Sequence, residues 1–164
     1  MEKEQSQRFM TEPYSQVALW AAAGRLLAPA IWLGLLIGIS FIEAPLKFTA
    51  PGITIPLGLG IGQLVFTAMN YVEIALFMVL VLSSVKRGVD RRFWTLVVGL
   101  GVVLVAKVAL IRPQLAKRTD AVLAGLEPGG SMAHYFYIAA DGIIFVLLIT
   151  ALVMSVRRWV LPGR

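Results

Sequence analysis

Polar and apolar residues fall in long blocks along this chain. Met1 to Gln16 is polar, and four apolar stretches follow. They run Val17–Ile42, Leu57–Val85, Phe93–Ile111 and Met132–Val156. The charged residues inside them are Arg25, Glu73, Lys107 and Asp141, one to each stretch. A helix that crosses a bilayer needs about 20 mostly apolar residues, and each stretch approaches or exceeds that length. No ten-residue segments of alternating polarity suggest a membrane barrel, and no repeat of 20–50 residues is visible. The pattern predicts an all-α fold, an integral membrane four-helix bundle. It divides into a polar arm (1–16), a four-span domain (17–156) and a basic tail (157–164).

The joins carry the orientation. Lys86–Arg92, KRGVDRR, holds four Lys/Arg in seven residues, and the tail Arg157–Arg164 adds three. Lys3 and Arg8 lie in the arm, whereas the first join has only Lys47. The third join has Arg112, Lys117 and Arg118. Basic loops stay on the cytoplasmic side, so both termini and Gly88 are expected inside and Gly52 outside. Glu2, Glu4 and Glu12 stand where a signal peptide would carry basic residues, so the arm reads as cytoplasmic. The first join, Ala44–Gly62, contains Pro45, Pro51 and Pro56 and four glycines. These predict an extended path along the membrane surface, with the second span starting between Leu57 and Gly62. In the third join, Leu115, Val122, Leu123 and Leu126 recur at helical spacing. They predict a short amphipathic surface helix, ended by Glu127–Gly130, with Ser131 capping the last span.

Composition strengthens the membrane reading. The chain of 164 residues is 59% hydrophobic and 15% charged, with mean hydropathy +0.82. Soluble domains average about 45–50% apolar and about 25% charged. The net charge of +6 marks cytoplasmic loops and not nucleic-acid binding, because no basic patch is interleaved with aromatic residues. The expected partner is the lipid bilayer, and the expected location a bacterial inner membrane. There is no cysteine, which excludes disulfides, zinc–thiolate sites, iron–sulfur clusters and a cysteine nucleophile. A single histidine excludes a bis-histidine haem within one chain. Met69, Met78 and Met154 read as packing and not as a copper site, so no metal ligand is assigned. GxSxG, HExxH, Walker A and dinucleotide-binding patterns are missing, and no catalytic residue or cofactor is assigned.

Ionisable groups at membrane depth are expensive and therefore functional candidates. Gln63, Asn70 and Glu73 lie seven and three residues apart, on one stripe of the second span. His134, Tyr137 and Asp141 lie three and four apart on the last span. With Lys107 from the third span, these groups predict a polar cluster inside the bundle, Lys107 lying between the carboxylates. Its alternatives are a ligand or proton site, or polar glue between helices. Lys107 alone also lies close enough to the surface to snorkel. His134 reads either as a ligand or proton carrier or as an interfacial residue beside Tyr135. Arg25, in the inner part of the first span, completes the candidates. Trp20, Trp94 and Trp159 fit an aromatic belt at the inner interface. Gly34, Gly38, Gly99 and Gly101 offer small faces for close helix contact. A thin bundle with several buried charges predicts a homo-oligomer or a subunit of a larger complex.

Span 1 and its exit carry Trp32, Leu33, Gly34, Phe41, Pro45 and Phe48. Span 2 carries Gly62, Phe66, Asn70 and Glu73, and Arg112-Pro113 and Arg118 precede His134. From Ala28 to Leu152 this resembles the small tetraspan family of transmembrane protein 205 and its bacterial relatives, a domain of unknown function. A weaker similarity is to four-helix membrane proteins of haem metabolism and copper handling. The resemblance implies the tetraspan fold and brings no agreed activity. Two functions stay open at this point. One is a binding or structural subunit, or a homo-oligomeric carrier, that uses the polar cluster. The other is a membrane redox enzyme or subunit acting on a quinone-like, haem or metal ligand.

Overall fold

A computed structural model describes residues 16–85, 89–126 and 132–160. The expectations for the N-terminal arm, Lys86–Gly88, Glu127–Ser131 and the end of the tail lie outside the described residues. So does the Trp159 ring.

The structure is helical throughout. Helix α1 (Gln16–Leu36) continues through a π-helical turn (Ile37–Glu43), one α turn (Ala44–Leu46) and a 3-10 turn (Lys47–Thr49). Helix α2 spans Ile55–Ser84, and α3 spans Arg91–Val105. A π-helical turn (Ala106–Ile111) leads α3 directly into α4 (Arg112–Leu123). Helix α5 (Ala133–Ser155) ends in a third π-helical segment (Val156–Val160). Four continuous helical runs, Ala18–Thr49, Ile55–Ser84, Arg91–Leu123 and Ala133–Arg158, are long and apolar enough to cross a membrane.

Two joins differ from expectation. The first is mostly helix: only Ala50–Thr54 separates the two helical runs. Pro56 sits in the first turn of α2, where a missing N–H has no partner to lose, and Pro45 lies inside the first run, just after its π-helical turn. The Thr54 hydroxyl caps α2 by accepting from Leu57 N at 3.4 Å. The expected surface helix exists as α4 but continues the third run without a break. Pro113 lies inside this run, just after the π-helical turn, and does not end it.

Helix α1 packs on α2 and α5, and α3 packs on α5 and, more lightly, on α2. Contacts between Trp32 and Glu73 and between Ser40 and Met69 show α1 and α2 antiparallel. Ser155 meets Arg25 and Asp141 meets Ser40, so α5 is antiparallel to α1 as well. The end of the bundle holding Ala50–Thr54 and α4 is termed the upper end, and the end holding Asp90 and Arg158 the lower. The seam is filled by Trp32, Leu36, Met69, Leu80, Leu100, Ile144 and Leu148, all buried. Gly101 lets α3 approach α2: a Cβ there would stand 2.7 Å from the Phe77 ring. The outward faces stay apolar, with Leu64, Tyr71, Leu82, Val102 and Val146 exposed. So large an exposed apolar surface suits lipid and not water.

Candidate functional site

Each of the four long helical runs sends a polar group to one point in the core. Glu73 and Lys107 are fully buried, and Asp141 is 2% exposed. The Lys107 ammonium donates to Glu73 Oε1 at 3.0 Å, to Glu73 Oε2 at 2.9 Å and to Asp141 Oδ1 at 2.5 Å. An ammonium has three donors, and all three are spent on carboxylate oxygens. The other oxygens of the site are also engaged. Trp32 Nε1 donates to Glu73 Oε1 at 2.9 Å, and Ser40 Oγ donates to Asp141 Oδ2 at 2.7 Å. The Lys107 ammonium also lies 4.7 Å from the Tyr137 ring centroid, within cation–π range. Tyr137 OH in turn donates to Asn70 Oδ1 at 3.3 Å. The burial of Lys107 between two acids excludes the snorkelling alternative.

Local backbone geometry sets two of these groups. Ser40 and Lys107 both lie in π-helical turns. In such a turn the backbone bonds i to i+5, as from Ala44 N–H to Ile39 O and from Arg112 N–H to Lys107 O. The extra residue rotates the downstream side chains relative to their α-helical positions, and such bulges are frequent at functional sites.

Above this cluster lies a cavity of about 540 Å³, within the range of small-molecule sites. Its floor is Ser40, Asp141 and Tyr137, and its walls include Phe41, Leu59, Phe66, Leu115 and Ile138. Lys47, Gln63, Arg112 and His134 line it higher up. Arg112 Nη2 donates to Gln63 O at 2.6 Å and to Thr67 Oγ1 at 2.5 Å. Gln63 Nε2 donates to Asp120 Oδ1 at 3.0 Å, tying α4 to α2.

The structure therefore brings together Glu73, Lys107 and Asp141, with Tyr137 and Asn70 beside them. Gln63 stands at the cavity's upper level and joins the cluster only through the cavity. His134 is exposed, its ring edge-on to Tyr135 at 6.3 Å. Arg25 is far from the cluster. It is buried near the lower end, where its Nε donates to Ala21 O at 3.0 Å. Sequence reasoning missed Trp32 and Ser40 as members. Trp32 did carry a signal: it stands mid-span, away from any interface, and a buried indole N–H needs an acceptor. Ser40 carried none beyond its eight-residue spacing from Trp32.

Among the described residues no group of three or more His, Cys, Asp or Glu is placed to hold a metal ion. Comparison of the chain with family models, with curated proteins and with solved structures gave no match.

Proposed function

We propose that this chain is a multi-pass membrane protein that binds a small membrane-soluble amphiphile in the upper cavity. It acts as a homo-oligomeric carrier or as a binding subunit of a larger membrane complex. The observation that carries this reading is the shared floor: Ser40 and Asp141 line the cavity and are bonded to each other and, through Asp141, to Lys107. Charges that only glued helices together would need no cavity opening onto them. The cavity also has an apolar side door, since Phe41 and Ile138 line it and are 45% and 50% exposed. A ligand dissolved in the bilayer enters there without crossing water. In this reading the upper end faces outward from a bacterial inner membrane and both termini are cytoplasmic. The resemblance to the transmembrane protein 205 family supports the tetraspan fold and names no ligand.

Native mass spectrometry of the protein released from nanodiscs tests the reading. The expected result is a bound small molecule that is lost in Ile138→Trp, with two or more copies per particle or a co-purified partner. Bound mass that is unchanged by Ile138→Trp, or no bound mass at all, overturns the cavity as the site. A lone monomer overturns the assembly.

The aromatic walls, Phe41 and Phe66 among them, favour a quinone-like ligand as the second reading. A decyl-substituted benzoquinone would then bind and, with two electrons from an electron-donating partner subunit and two protons from water, be reduced to the quinol. Binding of that probe without any redox change assigns the chain to the first reading.

A further inference from the structure

Lys47 is a cation withdrawn from solvent and held by one long ion pair. Its side chain is 11% exposed, and its ammonium lies 3.4 Å from Glu43. It also faces two rings, 5.4 Å from the Phe66 centroid and 5.7 Å from that of Phe48. Gly62 makes this position possible, because a Cβ there would stand 2.8 Å from Lys47 Nζ. The ammonium meets both Glu43 oxygens at 3.4 Å, which leaves at least one of its three donors for a ligand, and the rings offer only their faces.

Arg112 stands at the same level. Lys47 abuts Gly62, and Arg112 donates to the carbonyl of the next residue, Gln63. The hydrogen bonds of Arg112 use Nη2 alone, which leaves most of the five guanidinium donors for a ligand. Both side chains line the cavity. Asp141 is the one acid among the lining residues, and both its oxygens already accept bonds from Lys107 and Ser40. Ser40 is level with Met69, so the floor lies about 10 Å below the two cations at 1.5 Å per residue along α2. The cavity thus offers unspent donors above, while Asp141 at its floor is already paired with Lys107 and Ser40.

We propose that the cavity takes an amphiphile with an oxyanion head, a carboxylate or a phosphate, held between Lys47 and Arg112. Its apolar chain runs along Phe41, Leu59, Phe66 and Ile138 and leaves through the side door toward lipid. The proposal rests on the reading of the cavity as an amphiphile site and adds the ligand's chemical class. Guanidinium matches a planar carboxylate or a phosphate in bidentate fashion. A cationic head would meet two like charges. A neutral head would leave the remaining Lys47 donors, withdrawn from solvent, without an acceptor from the ligand, which is costly.

Four probes with one dodecyl chain separate these cases: dodecyl phosphate, dodecanoate, dodecanol and dodecyltrimethylammonium. Each is titrated by calorimetry into the full chain in a neutral detergent. At least one of the two anions is expected to bind about tenfold or more tighter than the alcohol or the ammonium. Lys47→Gln and Arg112→Gln should each weaken the anion about tenfold and leave dodecanol unchanged. Lys47→Arg should retain the anion, which separates a charge effect from a folding defect. Tighter phosphate assigns a phospholipid or isoprenoid-phosphate head, and tighter carboxylate assigns a fatty acid. Dodecanol binding as tightly as both anions, or anion binding indifferent to both glutamine substitutions, overturns the proposal. If all four probes bind alike and Ile138→Trp blocks them, the oxyanion head falls and the amphiphile cavity stands. If no probe binds, both fall.

Discussion

At the scale of single residues, the cluster is held by complementarity between three charges and two neutral donors. Lys107 spends every N–H on Glu73 and Asp141, and Trp32 and Ser40 bind carboxylate oxygens from the other side. Removing one member of a buried ion pair strands its partners. Lys107→Met should therefore cost about 3–5 kcal/mol of stability, whereas Lys107→Met with Glu73→Met and Asp141→Leu should cost less. Trp32→Phe removes one bond to a charged acceptor and should cost about 1.5–3 kcal/mol. Thermal unfolding in a mild detergent measures all three, and equal midpoints for every variant would show that the charges are not coupled. The three charged members are legible in the sequence because each is the lone charge in an apolar stretch. Trp32 and Ser40 are not, because tryptophan and serine are ordinary in membrane helices and only the fold shows which acceptor each one faces.

At the scale of elements, the number and rough extent of the long helices follow from hydrophobic length, and their interruptions do not. Prolines in a sequence suggest breaks, yet Pro56 opens α2, and Pro29, Pro45 and Pro113 sit inside continuous helical runs. Pro29 has no N–H to give the carbonyl four residues back, that of Arg25. The structure supplies a replacement from another helix: Ser155 Oγ donates to Arg25 O at 3.0 Å. Ser155 is 1% exposed, so water does not substitute for it readily. Ser155→Ala should cost about 1–3 kcal/mol, the cost of an unsatisfied buried acceptor. Pro29→Ala restores the in-helix donor, so the same Ser155→Ala change should cost markedly less in that background. A double-mutant cycle read by thermal unfolding gives the coupling, and additive costs would mean that Ser155 does not replace the proline's missing donor. No sequence pattern points to this bond, because its two residues are 130 positions apart. The π-helical turns that carry Ser40 and Lys107 are equally invisible in the sequence, since they shift the register without changing the apolar run.

At the scale of the whole molecule, polarity is distributed unevenly between the two ends. The upper end holds the cavity, with Lys47, Arg112 and His134 among its lining. The lower end holds Asp90 with Arg158 at 3.6 Å, and Arg91, Arg92 and Arg157 belong to the same end. Basic residues in short loops are retained in the cytoplasm. In the proposed orientation the first join, with Lys47 alone, crosses, and the cavity opens outward, toward amphiphiles of the outer leaflet. The chain has no cysteine, so a single introduced thiol reports its own side. Ala50→Cys and Arg92→Cys place that thiol at exposed positions of the upper and lower ends. In intact cells an impermeant maleimide should label position 50 and should reach position 92 only after the membrane is opened. Labelling at 92 but not at 50 would invert the bundle. The cavity would then face the cytoplasm, and its ligand would have to come from the inner leaflet. The same pair of variants thus fixes which leaflet would supply the proposed amphiphile, because Phe41 and Ile138, where its entry is proposed, lie on the upper half of the bundle.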